Sequence, residues 1–323
     1  MMNRRQFGRS VAGLAVGSAA ASVAAAVPNS HTLDSKDVAG VVPFKISVML
    51  WTVFRGQPFA QRLDKVAEAG FHAVEFVDEF KSWTKDDFTA ARHKKQELGM
   101  EIDATAGVWH TLADAGDREA FLQNLREFIA TMKELECTRL VLQTGNAVPG
   151  LSREAMRANC IETLKRGGDI AAQNGIELLV ENIDPEENPK YFLTSSADGF
   201  EIVRSVANPH VKFLYDFFHE QIAEGNLIAK LGKNLDLIGL VHVADVPGRH
   251  EPGTGEIHYP NIYRKLGELG YDRYVAMEFL PTSEPVAALS AAREMALKFG
   301  ATQRQQSSNE SVSGRSYAKA RRT

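Results

Sequence analysis

Between residues 45 and 300 a short apolar run gives way to a longer amphipathic one again and again, and this alternation restricts the fold more than any other feature of the chain. The short runs fall at 45–52, 72–77, 101–106, 139–143, 176–180, 211–215, 237–243 and 274–277. They have strand length and little polar interruption, as expected of strands covered on both faces. The stretches between them, 59–69, 85–98, 118–135, 152–173, 196–206, 220–231, 259–269 and 284–299, carry helical periodicity. Eight strand–helix units in about 255 residues match the size and rhythm of a single α/β domain, a (β/α)8 TIM barrel. An open doubly wound sheet would use the same alternation, but no Gly-x-Gly-x-x-Gly follows the first strand.

The ends of the chain read differently. Arg4, Arg5 and Phe7 precede an Ala/Gly-rich run from Val11 to Ala26 that closes on Ala24-Ala25-Ala26. This head resembles a twin-arginine export signal, which implies a leader over 1–26 and a periplasmic or otherwise extracytoplasmic destination. The run is too short for a stable membrane span. Residues 27–44 read as a lead-in, and the Ser/Gln/Arg-rich 301–323 as a disordered basic tail. The whole chain carries −4; Arg4, Arg5 and Arg9 add three positive charges and the tail a net four, so residues 27–300 carry −11. A body this acidic lacks the basic footprint that nucleic acid requires. Cys137 and Cys160 match no metal spacing and are expected to be buried thiols.

Four of the expected strands end in a residue that can ligate or titrate. The run 176–180 stops at Glu181, 211–215 at Asp216 and 274–277 at Glu278, while 237–243 delivers His242 just before a Pro/Gly loop. Barrel closure brings the ends of strands five to eight together at one mouth, where such enzymes keep their chemistry. A solvated charge at a strand end is the ordinary reading of any one of these residues, but four on consecutive strands favour a shared site. Three carboxylates and one imidazole suit a divalent cation such as Mn²⁺, Mg²⁺ or Co²⁺.

Three stretches carry a resemblance. Leu178-Leu-Val-Glu-Asn-Ile-Asp-Pro with Tyr191-Phe-Leu-Thr, Tyr215-Asp-Phe-Phe-His-Glu-Gln with Glu224-Gly-Asn-Leu, and Ala244-Asp-Val-Pro-Gly-Arg-His-Glu-Pro-Gly-Thr-Gly-Glu-Ile together resemble the hydroxypyruvate isomerase family of the xylose-isomerase-like barrel superfamily. The match is dense from about Ile176 to Pro281 and thinner before it. The resemblance implies that Glu181, Asp216, His242 and Glu278 bind the metal, that Glu181 and Glu278 also move protons, and that the enzyme is a homodimer or homotetramer. His242 departs from the pattern: bacterial hydroxypyruvate isomerases carry a glutamine there, whereas the related ketose 3-epimerases carry histidine.

A metal held this way binds a small hydroxy-carbonyl substrate and favours removal of the proton between its two oxygens, giving an enediolate. Return of the proton to the neighbouring carbon isomerises hydroxypyruvate to tartronate semialdehyde; return to the opposite face epimerises a ketose. An exported ketose 3-epimerase or sugar isomerase is therefore the alternative, and a non-catalytic carbohydrate-binding barrel the second. Endonucleases built on this barrel require a histidine-rich zinc cluster and a basic groove, and the sequence offers neither. Arg249 has the planar fork that a substrate carboxylate requires, or else makes a surface ion pair. His219 is placed to hydrogen-bond a substrate oxygen. Glu256 either closes over the site from its glycine-rich loop or is solvated. Trp51 and His110, with Phe54 and Trp109, either wall the substrate or belong to the core. Glu75 either orients a metal ligand or is a buried structural carboxylate.

Overall fold

The computed structural model describes residues 41–302. The leader expected over 1–26, the lead-in as far as residue 40 and the tail from residue 303 lie outside the described residues. Eight parallel strands, β1 (Lys45–Met49), β2 (Ala73–Phe76), β3 (Glu101–Thr105), β4 (Arg139–Gln143), β5 (Glu177–Glu181), β6 (Val211–Asp216), β7 (Ile238–Val243) and β8 (Tyr274–Met277), pair in chain order. β8 pairs back onto β1, with Lys45 opposite Tyr274 and Val48 opposite Met277, so the sheet is a closed barrel. Helices α1 (Phe59–Glu68), α2 (Lys85–Glu97), α3 (Arg118–Leu135), α4 (Arg153–Gln173), α5 (Ser196–Val206), α6 (Phe217–Ala223), α7 (Leu227–Asn234), α8 (Tyr259–Glu268) and α9 (Pro285–Gly300) fill the returns. This is the TIM barrel that the alternation implies. No helix among the described residues is long and apolar enough to cross a membrane.

Alternation along the strands decides what enters the barrel. Side chains two residues apart share a face, and Val141, Leu179, Leu214, Leu240 and Ala276, with Ala73 and Ala104, form a buried apolar plug. Their neighbours Leu178, Val180, Phe213, Tyr215, Val241 and Val275 point the other way and pack with the helices. Two residues beyond the plug on β5, β6 and β7, and one past the end of β8, stand Glu181, Asp216, His242 and Glu278. The strand ends therefore differ slightly from expectation, because Glu181 and Asp216 are the last residues of their strands rather than the first beyond them.

The return after β6 differs more. A single helix over 220–231 is replaced by α6 and α7, separated by Gly225 at φ 65 and Asn226 at φ 57. Two consecutive left-handed residues cannot continue a right-handed helix, and glycine and asparagine adopt that region at least cost. Helix α6 also begins earlier than expected, because Asp216 caps it: Oδ1 accepts from the backbone N–H of Phe218 at 2.7 Å.

At the other end of the barrel, Lys45 pairs with Glu101 at 3.1 Å, Arg273 with Glu177 at 2.6 Å, and the Arg139 guanidinium lies 5.4 Å from the centre of the Tyr274 ring. The fold reaches a little outside 45–300. Val41 bridges Thr302 in antiparallel fashion, and buried Phe44 stacks on Tyr263 with ring centres 6.3 Å apart. Cys137 and Cys160 are free and buried, and burial pushes both thiols up to about 12.

Candidate active site at the barrel mouth

Glu181, Asp216, His242 and Glu278 converge as the strand ends imply. One ligand atom from each lies within 4.8 Å of every other, and all four residues are buried. Asp216 and His242 are direct partners in the β6–β7 register, which brings their side chains to one level. Asp216 divides its work, with Oδ1 spent on the helix cap and Oδ2 turned to the mouth.

The surrounding groups supply partial compensation for so many buried carboxylates. The Arg249 guanidinium stands 2.7 Å from Glu278 Oε2 and 3.2 Å from Asp216 Oδ2, and reaches Glu187 Oε2 at 3.3 Å. Its planar group lies 4.8 Å from the centre of the Phe218 ring. Trp51 donates its indole N–H to Glu278 Oε1 at 3.0 Å. His219 is buried, with Nδ1 2.6 Å from Asp184 Oδ2 and Nε2 3.4 Å from Asp216 Oδ2. Asp184 is fixed in turn, since its Oδ1 accepts from the backbone N–H groups of Glu186 and Glu187 at 2.8 and 2.9 Å. Behind the mouth, His242 Nε2 meets Glu75 Oε2 at 2.9 Å.

The two glutamates are driven apart. Burial, opposed by His242 and reinforced by the charge of Glu278, pushes Glu181 up to about 7. Burial acts on Glu278 as well, but there the Arg249 guanidinium and His242 outweigh it and hold the carboxyl well below the usual range. For His219, the attraction of Asp216 and the Asp184 hydrogen bond overcome burial and raise the imidazole. Carboxyls with such different proton affinities in one pocket can divide acid and base work.

The site has the character of a cation site. His242 Nδ1 and Glu278 Oε2 are 2.7 Å apart, and the same oxygen faces the Arg249 guanidinium. Three buried carboxylates and an imidazole whose ligand atoms converge within 4.8 Å fit a divalent metal ion.

The family model described as Xylose isomerase-like TIM barrel matches residues 63–298. The chain belongs to this family. It is 30% identical to the 2-oxo-tetronate isomerase of Haemophilus influenzae over 76% of its length and 96% of that protein's. It is 27% identical to the hydroxypyruvate isomerase of Escherichia coli, again over 76% of this chain and 96% of the relative. A solved structure from Brucella melitensis titled AP endonuclease, family 2, superimposes with a TM-score of 0.69 at 28% identity, covering 77% of this chain and 97% of that one. As a member of the family with these relatives, the chain is an isomerase.

Not every expected residue joins the site. Trp51 does, but through its indole N–H rather than as an apolar wall. His110 turns to Asp117, with Nδ1 2.9 Å from Oδ1, and packs edge-on to Phe121. Glu256 is exposed and accepts from Gln221 Nε2 at 3.0 Å. Neither makes a hydrogen bond or ion pair with the four converging residues among the described contacts. Trp109 is 46% exposed, so it is not core.

Asp184, Glu187 and Asp245 were not anticipated. Asp184 lies three residues past Glu181, inside the stretch that carries the resemblance, and Glu187 lies two residues past that stretch. Asp245 is wholly buried and gathers the loop that bears Arg249: Oδ1 accepts from the N–H groups of Val246 and Ile257, both at 3.0 Å, and Oδ2 from Gly253 and Gly255 at 2.8 and 2.9 Å. Arg249 itself sits in the left-handed region at φ 57, and its carbonyl accepts from the N–H of Leu280 at 2.7 Å. An aspartate just before a loop with several glycines is the sequence signal for such an anchor, because exposed loop N–H groups need an acceptor. Asp245→Ala should therefore speed amide hydrogen exchange across 246–257 and lower kcat/KM, while exchange in β4 and β5 stays unchanged. Equal exchange in the loop of both proteins would remove Asp245 as its anchor.

Proposed function

We propose that this isomerase is divalent-metal dependent, that it interconverts hydroxypyruvate and tartronate semialdehyde or a closely related 2-hydroxy-carbonyl pair through an enediolate, and that it works in the periplasm after twin-arginine export. The observation that carries the reading is the buried convergence of Glu181, Asp216, His242 and Glu278 on one point at the barrel mouth.

These four residues would hold Mn²⁺, Mg²⁺ or Co²⁺, which when bound offsets the negative charge that develops on the substrate oxygens as the C–H proton leaves. Glu181, with a proton affinity near neutrality, takes the proton from one carbon. Glu278 approaches from β8, three strands from β5, and serves the other carbon. Trp51 occupies Glu278 Oε1, so Oε2 is the oxygen turned toward the reacting atoms. His219 has Nδ1 tied to Asp184 and offers Nε2 to a substrate oxygen. Arg249 presents two N–H groups that match a carboxylate.

One observation favours a neutral substrate instead. Arg249 already faces three carboxylates, those of Asp216, Glu278 and Glu187, within 3.3 Å, which diminishes its pull on a fourth. A ketose epimerase or sugar isomerase is the second reading, with Glu181 and Glu278 working from opposite faces of one carbon.

Glu278→Gln should reduce turnover on every substrate by about 10²- to 10⁴-fold, the usual consequence of losing a general acid or base. Deuterium uptake from D₂O by hydroxypyruvate at an unchanged rate would defeat that assignment. Arg249→Lys should lower kcat/KM for hydroxypyruvate far more than for neutral ketoses, because a point charge does not replace two parallel N–H bonds. An equal loss on both, or turnover of ketoses alone by the parent enzyme, moves the function to the second reading. For export, replacing Arg4 and Arg5 by Lys should retain folded, active enzyme in the cytoplasm. Unchanged periplasmic activity in that variant would contradict the twin-arginine route.

A further inference from the structure

Glu75 is a buried carboxylate behind the mouth. It is wholly buried on β2, across the barrel from β7, and its Oε2 stands 2.9 Å from His242 Nε2. The imidazole is thus fastened at one nitrogen, and its other nitrogen, Nδ1, faces Glu278 Oε2 at 2.7 Å and Glu181 Oε1 at 3.9 Å. Ser47 and Asp103, buried neighbours from β1 and β3, hydrogen-bond to each other and leave Glu75 to His242. The other oxygen of Glu75, Oε1, accepts no hydrogen bond among the described residues, where the side chain's polar partner is His242.

A carboxylate has no other evident reason to be here. The plug of Val141, Leu179, Leu214 and Leu240 is apolar, and burying a carboxylate beside it is costly unless its partner repays it. What Glu75 adds is direction. Its Oε2 beside Nε2 holds the ring so that Nδ1 faces the carboxylate cluster, and a carboxylate accepting from Nε2–H is the arrangement that would leave Nδ1 to a cation and strengthen it as a ligand.

We infer that Glu75 is a positioning residue that makes His242 Nδ1 a fixed nitrogen donor, and so biases the mouth toward cations that accept nitrogen, Mn²⁺ and Co²⁺, over the oxygen-preferring Mg²⁺. The chemistry follows from ligand type, since imidazole suits the transition metals while Mg²⁺ favours carboxylate, carbonyl and water. The inference rests on the metal-site reading above and adds the atom that binds and the metals it selects.

The test is direct binding to the purified, metal-stripped protein, by calorimetry with Mn²⁺ and Mg²⁺ separately and by the visible absorption of added Co²⁺. Glu75→Leu removes the acceptor. It should weaken Mn²⁺ roughly tenfold to a hundredfold, weaken Mg²⁺ less, and alter the Co²⁺ spectrum. Glu75→Gln retains an oxygen that can accept from Nε2–H while losing the charge. It should lie between the parent and the leucine variant, and it guards against a leucine variant that fails to fold. His242→Gln should abolish most of the preference for Mn²⁺ over Mg²⁺, and adding Glu75→Leu to it should change that ratio little further. A Glu75→Leu protein that binds Mn²⁺ within twofold of the parent with an unaltered Co²⁺ spectrum overturns the inference and leaves the metal site standing. A parent protein that binds no divalent cation overturns both.

Discussion

Carboxylates buried within a few ångströms of one another repel, and everything at this barrel mouth is arranged around that repulsion. Glu181 and Asp216 end strands of a closed sheet and Glu278 follows directly on another, so their backbones cannot move apart without disturbing the barrel. Relief comes instead from positive or polar groups brought to them: the Arg249 guanidinium, the indole N–H of Trp51, the imidazoles of His219 and His242. The relief is uneven. Glu278 receives most of it and its carboxyl is held low, whereas Glu181 receives less and retains its proton more readily. Asymmetry of this kind lets chemically identical side chains play different parts.

The compensating charge is delivered by a loop rather than a strand. Arg249 reaches the mouth because the segment after β7 is tied down by Asp245 from within and by β8 from beside it, where Leu280 N–H meets the Arg249 carbonyl and His250 Nδ1 lies 2.8 Å from the Leu280 carbonyl. The barrel thus supplies rigidity to the acidic residues and the loop supplies the cation, a division common to enzymes of this architecture.

Much of this was legible in the sequence because it follows from periodicity. The strand–helix alternation specifies the barrel, and the alternation of faces within each strand specifies that Glu181, Asp216 and His242 share the interior with Leu179, Leu214 and Leu240. What periodicity does not encode is where a loop side chain turns. His110 and Glu256 lie near strand ends in the sequence, yet local partners, Asp117 and Gln221, take them away from the mouth. The break between α6 and α7 was missed for a related reason. Gly225 and Asn226 sit within an otherwise helical run, and only their backbone angles reveal a turn. Glu75 was ambiguous because its partner lies 167 positions away, a pairing that only barrel closure creates.

The bridge between Val41 and Thr302 sets the two ends of the described chain side by side, and Val41 lies just before the first strand begins, at the end of the barrel away from the mouth. With residues 1–40 and 303–323 removed, a short linker across that gap would join Val41 to Thr302 and allow the chain to be cut open in another surface loop, yielding a circular permutant of the same barrel. In such a rearranged protein the order of the eight units along the chain would change, while their order around the barrel, and with it the face on which the acids meet, would not.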